Sequence, residues 1–322
     1  MKIRTILLLL ITGGIAISGQ EPIAKPQGTE DLVSSGFSKT IPNSAVFIKV
    51  GGSFAPGKAG SGFLLLKREE KGPDDITKPC RSSNEKPADT SSTVPCRVLL
   101  ITNKHVLPGI GDYSAVFLKI GNFSREMTVK EIEIKVLDNI GRYAPNVTPH
   151  PVYDIAAVDI TADLDRNGLT SFSILPTSIL GVGSKPPRGL RALPPVLGDS
   201  VFILGYPSGI YNPKNAYPIL RTGIIATDPK IQFEIDPSLR QKFGWPEKIN
   251  GFLIDAPIFP GSSGSLVLRK PINYEFAYAP YAIGIISDSI PIQDTDLNSV
   301  QRLGLAIVYT ADAISETIAL IK

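Results

Sequence analysis

The sequence predicts an all-β protein built as two six-stranded β-barrels with a C-terminal helix. Three observations predict it. Short apolar runs rich in Val, Ile and Phe alternate with turn residues along most of the 322-residue chain. A middle segment dense in Pro and Gly parts these runs into two sets of about six. Helical periodicity surfaces only at the end of the chain.

The first set comprises AVFIKV (45–50), GFLLL (62–66), RVLLIT (97–102), SAVFLKI (114–120), KEIEIKVL (130–137) and DIAAVDI (154–160). KEIEIKV alternates strictly, as a half-buried strand does. The second set comprises SVFILGY (200–206), PILRTGIIAT (218–227), GFLIDA (251–256), GSLVL (264–268), YAIGIIS (281–287) and GLAIVY (304–309). Between the sets, 162–198 reads as a loop and contains GSKPPRGLRALPPVLGD. No sequence repeat relates the halves. In TADAISETIALIK, Ile314, Ile318 and Ile321 share one helical face, and Thr310 or Asp312 is placed to cap it. This helix reads as purely structural.

The start of the chain has the three-part layout of a secretory signal peptide: Lys2 and Arg4, the apolar run 6–17, then small residues suited to cleavage after Ser18. An apolar helix of that length spans about 18 Å, short of the roughly 30 Å of a bilayer core. The expected location is therefore secreted or periplasmic, with no stable membrane span in the mature form. The expected organisation is a signal peptide (1–18), a polar tail (19–43), a first barrel (44–165) with an inserted loop (67–96), a linker (166–198), and a second barrel with its helix (199–322). Without Lys2 and Arg4, 31 basic residues face 30 acidic ones, and no basic block stands out. Nucleic acid and acidic polymers are not expected partners. The two cysteines, Cys80 and Cys96, lie in a polar loop in an exported chain, which favours a disulfide. Two cysteines with no histidine among them make a poor zinc site, and no metal is expected.

The chain holds only two histidines, His105 and His150. His105 ends an apolar run and enters a loop with Pro108 and Gly109, a position suited to facing a cleft. Asp154 opens DIAAVDI; Asp159, in the same run, competes with it. Ser263 lies in FPGSSGS (259–265), where flanking glycines permit a tight turn with converging N–H groups, a possible nest for an oxyanion. Taken singly, each has a plain structural reading: a satisfied histidine, a turn or cap aspartate, an ordinary Gly/Ser turn. Their order, His…Asp…Ser, excludes an α/β-hydrolase for this serine, because no histidine follows it. A subtilisin order would draw on aspartates of the polar loop and needs more helices than the sequence offers. His150 is given no part in the chemistry, and its loss is expected to be mild.

At this point a resemblance emerges. ITNKHV (101–106) resembles the histidine segment of the trypsin/chymotrypsin clan, DIAAVDI its aspartate segment, and IDAPIFPGSSGSLVL (254–268) its serine segment, especially in bacterial HtrA-type peptidases. GSGFLL (60–65), GDSVFILGYPSG (198–209), TGIIAT, AIGIIS and GLAIV follow in the family's order. The resemblance spans about 44–320. It implies a trypsin-like pair of Greek-key barrels and a serine endopeptidase with His105, Asp154 and Ser263 as its triad, acting on protein or peptide substrates without a cofactor. It implies an oxyanion hole from the Gly261 and Ser263 N–H groups, with Ser262 shaping the turn. It also implies a specificity pocket based at Pro257, walled by Ile286, Ser287 and Asp288, with a contribution near Gly304. A small or medium apolar side chain is the expected occupant.

The departures matter as well. Ser265 stands where a second glycine is usual, and Phe259 where asparagine is usual. Ser262 stands where zymogens carry an aspartate that pairs with a new N-terminus, so activation by that ion pair is not expected. A PDZ domain, usual in HtrA-type proteins, is not expected here. A catalytically inactive binding protein on the same fold is the alternative.

Overall fold

The computed structural model describes residues 41–50, 58–69, 80–82, 94–108, 115–122, 128–169, 172–187, 193–243, 247–249, 251–271, 280–294 and 299–321. The expected signal peptide, most of the tail, and much of the inserted loop lie outside these residues.

The first half is a nine-stranded sheet. Its strands are β1 (Ala45–Val50), β2 (Ala59–Arg68), β3 (Cys80–Ser82), β4 (Val94–Thr102), β5 (Ala115–Asn122), β6 (Thr128–Lys135), β7 (Val147–Pro149), β8 (Ala156–Asp159) and β9 (Leu175–Pro176). The order β6-β5-β1-β2-β4-β8-β7 curls into a half-barrel, with β3 beside β4 and β9 beside β2. The second half holds β10 (Ser200–Gly205), β11 (Ile219–Ile225), β12 (Phe233–Glu234), β13 (Lys248–Ile249), β14 (Phe252–Asp255), β15 (Leu266–Arg269), β16 (Tyr281–Asp294) and β17 (Ser299–Thr310). Six of these close a barrel in the order β10-β11-β14-β17-β16-β15, and β12 and β13 form a small hairpin outside it.

The continuous apolar runs follow from this layout. A strand buried on both faces has no polar face to alternate with. On β2, Leu64 and Leu66 enter the core of the first sheet, while Phe63 and Leu65 face the second barrel. On β4, Leu100 and Val98 do the former, and Leu99 and Ile101 the latter. The second barrel answers with Leu204, Leu266, Leu268 and Ile285 across the seam, while Val201, Ile203, Ile254 and Val267 fill its own core. Edge strand β6 is buried on one face only, and there alternation returns: Ile132 and Ile134 are buried, Glu131 and Glu133 exposed.

Three helices lie wholly among the described residues, where the sequence predicts one. α1 (Thr161–Arg166) follows β8, and its start is held by Asp159, whose Oδ1 accepts from Thr161 N (3.0 Å) and Oγ1 (2.6 Å). α2 (Pro237–Phe243) starts on a proline, with Asp236 Oδ1 accepting from Ser238 N at 2.8 Å. Both are too short to show a 3.6-residue period. α3 (Ala311–Ala319) buries Ile314 and Ile318 in the seam, with Ile321 packed at its margin. Thr310 is its N-cap residue, but its side chain makes no capping bond. Asp312 instead turns outward and accepts from Gly183 N at 2.6 Å.

Candidate active site

β4 ends at Thr102, and the chain then turns through Asn103 into a short 3-10 turn, Lys104–Val106. His105 leaves that turn with its side chain 48% exposed, beside Asp154 at 27%. His105 Nδ1 hydrogen-bonds Asp154 Oδ2, and the His105 backbone N–H donates to Asp154 Oδ1 at 3.1 Å. A carboxylate only accepts, so Nδ1 carries the proton and Nε2 is left with a free lone pair. Asn103, fully buried, donates from Nδ2 to the Asp154 carbonyl at 2.7 Å. Asp154 is thus held from both its carboxylate and its backbone. Of the two competing aspartates, Asp159 is engaged by Thr161 at the start of α1, and its Oδ2 lies 3.7 Å from Arg97 Nη1.

His150 is a strut of the Asp154 loop. It is 6% exposed, and its Nδ1 accepts from Val152 N (3.1 Å) and Tyr153 N (3.0 Å). Nδ1 therefore bears no proton, and Nε2–H points to Glu316 Oε2 at 3.5 Å. Its carbonyl accepts from Lys104 Nζ at 2.9 Å, which ties this loop to the residue before His105.

Ser263 lies in the turn that precedes β15. The turn opens at Phe259 and is closed by Ser262 N donating to the Phe259 carbonyl at 3.0 Å. Pro260 and Gly261 hold its central positions, and Gly261 sits at φ +85°, the pattern of a type II turn. The Pro260 carbonyl accepts from Ser208 N at 2.6 Å. In a planar trans peptide the C=O and N–H point opposite ways, so the Gly261 N–H is turned away from Ser208. Ser208 itself is held at φ +52°, an unusual conformation for a non-glycine residue, and its N–H is aimed by it. Among the described residues, the Gly261 and Ser263 N–H groups donate to no protein acceptor. The Ser262 N–H is spent inside the turn. A pair of unspent N–H groups flanking a serine is what oxyanion binding requires.

Ser61 of the GSGF segment joins this turn to the histidine strand. Its N–H donates to the Ser263 carbonyl (2.8 Å) and its Oγ to the Gly261 carbonyl (2.7 Å). The same Oγ accepts from Tyr206 N at 2.9 Å, and the Ser61 carbonyl accepts from Thr102 Oγ1 at 2.8 Å. Thr102 is three residues before His105. One residue therefore sets the distance between the two halves of the site. Tyr206 adds a second tie: it is fully buried, its Oη lies 3.0 Å from the Ala45 carbonyl and 2.8 Å from that of Ala216, and burial pushes its phenol far up. Among the described residues, no hydrogen bond joins Ser263 Oγ to His105.

The unusual Ser265 is accommodated by a missing side chain elsewhere. A β-carbon on Gly205 would lie 1.8 Å from Ser265 Oγ. Ser265 is fully buried and its Oγ has no protein partner. Phe259, the other departure, is 48% exposed at the mouth of the turn.

The residues expected to line a pocket are placed differently from one another. Pro257 is exposed just ahead of the turn. Ile286 is fully buried in the barrel core, so it offers the site backbone alone: its carbonyl accepts from Gly264 N and its N–H donates to the Ser265 carbonyl, both at 2.9 Å. The pairing with β17 shifts register between Ile286 and Asp288, leaving Ser287 buried and Asp288 exposed. Gly304 has φ +76°, and its carbonyl accepts from Ala256 N at 2.8 Å. Among the described residues, no group of three His, Cys, Asp or Glu side chains is placed to hold a metal ion, and no helix is long and apolar enough to cross a membrane. Cys80 lies on β3, which runs parallel to the Cys96-bearing β4.

Asn103, Ser61 and Arg221 were not singled out as site residues from sequence. Asn103 and Ser61 sit inside quoted motifs, TNKHV and GSGF, where the signal was present. Arg221 carries no motif.

The sequence matches no family model and no curated protein. Solved structures similar in fold at low identity include the following two. One is the active form of the Rv3671c protease from M. tuberculosis, at 19% identity and TM-score 0.43, covering 97% of this chain and 94% of that one. The other is Deg5, at 14% identity and TM-score 0.44, covering 91% of this chain and 95% of that one.

Proposed function

We propose that the chain is a secreted or periplasmic serine endopeptidase, trypsin-like in fold, that cleaves protein or peptide substrates through an acyl-enzyme on Ser263. One observation carries this reading. The His105–Asp154 pair and the Ser263 turn belong to different halves of the molecule, yet both are fastened to Ser61, through Thr102 on one side and the turn carbonyls on the other.

In this mechanism His105 Nε2 takes the proton of Ser263 Oγ as that oxygen attacks the substrate carbonyl. Asp154 holds the Nδ1–H tautomer and stabilises the imidazolium. The carbonyl oxygen, now negative, is received by the Gly261 and Ser263 N–H groups. His105 then protonates the leaving amine, and water, deprotonated by His105, releases the acyl group from Ser263. Loss of one oxyanion donor from such a site typically costs about 3–4 kcal/mol.

A second reading, a catalytically inactive binding protein on this fold, draws on the missing Ser263 Oγ–His105 hydrogen bond. Such bonds are often long before substrate binds, so that observation weighs less than the shared fastening. A fluorophosphonate probe separates the two. The expected result is one phosphonyl group per chain, mapped by mass spectrometry to Ser263. Folded protein that stays unlabelled over hours would favour the binding protein.

Export of the chain supports a Cys80–Cys96 disulfide. It would close residues 81–95, a stretch with almost no apolar content, and raise stability by about 3 kcal/mol in the chain-entropy model. Reduction is expected to lower Tm modestly and to speed nicking within 81–95 while Ser263 still reacts with a small probe. Two free thiols in protein recovered from the exported compartment would overturn the pairing.

A further inference from the structure

We infer that Arg221 is a positioning residue for the oxyanion turn, its guanidinium clamping the Pro257 carbonyl and Ser262 Oγ so that the Gly261 and Ser263 N–H groups stay convergent. This rests on the peptidase reading for its kinetic consequences, though not for its structural ones.

Arg221 lies midway along β11, opposite Ile203 of β10. Its strand neighbours Leu220 and Thr222 are exposed, whereas Arg221 itself is half-buried. From there the fork reaches both legs of the loop that carries the nucleophile. Nη1 donates to the carbonyl of Pro257, ahead of the turn, and Nη2 donates to Ser262 Oγ at 3.1 Å, at its end. Ser262 is fully buried, and its Oγ also receives the Phe259 N–H at 3.4 Å. A rigid, planar group with donors at fixed spacing holds two acceptors at fixed spacing, which a lysine ammonium cannot do.

The arrangement is not explained as an ion pair. Among the described residues, no carboxylate pairs with Arg221. Its Nε is buried with no hydrogen-bond partner. Burial pulls the guanidinium below its ordinary pKa, yet an arginine stays charged. A half-buried, unneutralised cation with one orphaned donor is a standing cost, retained here at the one place where its other donors grip the turn beside Ser263. Ser61 holds the turn from the first sheet, by the Gly261 and Ser263 carbonyls. Arg221 holds it from the second barrel, by Pro257 and Ser262. With the Arg221 grip gone, a flip of the Pro260–Gly261 peptide is opposed by the Ser208 bond and the Ser61 grip alone, and such a flip would withdraw the Gly261 N–H.

The test uses Arg221→Met, Arg221→Lys and Arg221→Ala in the full chain. Removing the clamp is expected to lower kcat by about 10- to 100-fold, the scale of a weakened oxyanion donor, with KM changed less than about threefold. Affinity for a peptide boronate, whose tetrahedral adduct places an oxygen in the hole, should fall by the same factor as kcat/KM. Arg221→Lys should recover only part of the loss. Methylguanidinium in the buffer should restore rate to Arg221→Ala and not to Arg221→Met. Hydrogen exchange of the peptide covering 257–263 should quicken in every variant, a readout that needs no activity. Unchanged exchange there would overturn the proposal whatever the kinetics. So would a loss confined to KM, or boronate affinity equal to wild type. If the Arg221 variants do not fold, Ser262→Ala removes one of the two anchors, and the same exchange and boronate criteria decide. Failure of wild-type protein to react with a fluorophosphonate would count against the peptidase reading alone.

Discussion

Ser263→Ala is expected to lower kcat/KM toward a peptide substrate by about a millionfold, and His105→Ala by nearly as much. The double variant should be no worse than either single one, because the two groups act as one proton-transferring unit. Stability should barely change. Ser263 Oγ makes no hydrogen bond among the described residues, and His105 is 48% exposed, so both changes fall near the range of ordinary surface substitutions, about ±0.5 kcal/mol. Asp154→Asn should be severe in rate, because the amide no longer enforces the Nδ1–H tautomer, but mild in stability, because its Oδ1 can still accept the His105 backbone N–H. The outcome that would sink the assignment is His150→Ala matching His105→Ala in rate with the fold intact. The buried placement of His150 revises what its removal should do. The Val152 and Tyr153 N–H groups would lose their acceptor, so a lower Tm is expected, with residual activity at low temperature. Thermal melts and progress curves on the same preparations separate these outcomes.

Gly264→Ala is expected to be among the most damaging added methyls at the described glycines. A β-carbon there would lie 1.8 Å from the Ser61 carbonyl oxygen and 2.8 Å from Thr102 Oγ1, with the backbone at φ +85°. Neither neighbour is free to retreat, because that same carbonyl and hydroxyl form the bond between the histidine strand and the serine turn. Relief would have to come from parting the two halves of the site. Several kcal/mol of destabilisation is expected, on the order of the largest single-residue effects, together with loss of probe labelling in whatever fraction folds. Gly168→Ala is the control. That glycine also has positive φ, +61°, but nothing lies within 4 Å of its would-be β-carbon, so only the backbone penalty of about 1–2 kcal/mol applies. Equal effects at the two positions would show that strain rather than the Ser61 contact governs Gly264.

The strands were legible because most are buried on both faces, which leaves long apolar runs such as VLLI and FLLL in plain view. His105, Asp154 and Ser263 could be singled out as candidates because two histidines left few choices and chain order removed others; the structure pairs His105 with Asp154. Spacing alone did not separate Asp154 from Asp159, since both flank the same run; in the structure Asp159 is engaged by Thr161 at the start of α1, and Asp154 by His105. The short helices escaped notice because six or seven residues cannot display a helical period. Arg221 escaped for a different reason. It is a lone cation in an ordinary strand, forty-one positions from Ser262, and only barrel closure brings the two together. Ile286 is a different case: the resemblance implied a pocket wall there, but strand pleat turns its side chain into the core.

The seam between the two halves has a consequence for how substrates would be chosen under the proposed peptidase reading. Phe63, Leu65, Leu99 and Ile101 from one side meet Leu204, Leu266, Leu268 and Ile285 from the other, and Ile314 and Ile318 of the last helix are packed into the same dry layer. Relative motion of packed bodies needs an interface that can slide or wet, and this one can do neither without exposing that layer. The seam therefore holds the His105 turn and the Ser263 turn at a set separation. Under the proposed peptidase reading, discrimination would then be made by side chains near the two turns and by how readily a polypeptide unfolds into an extended strand that fits.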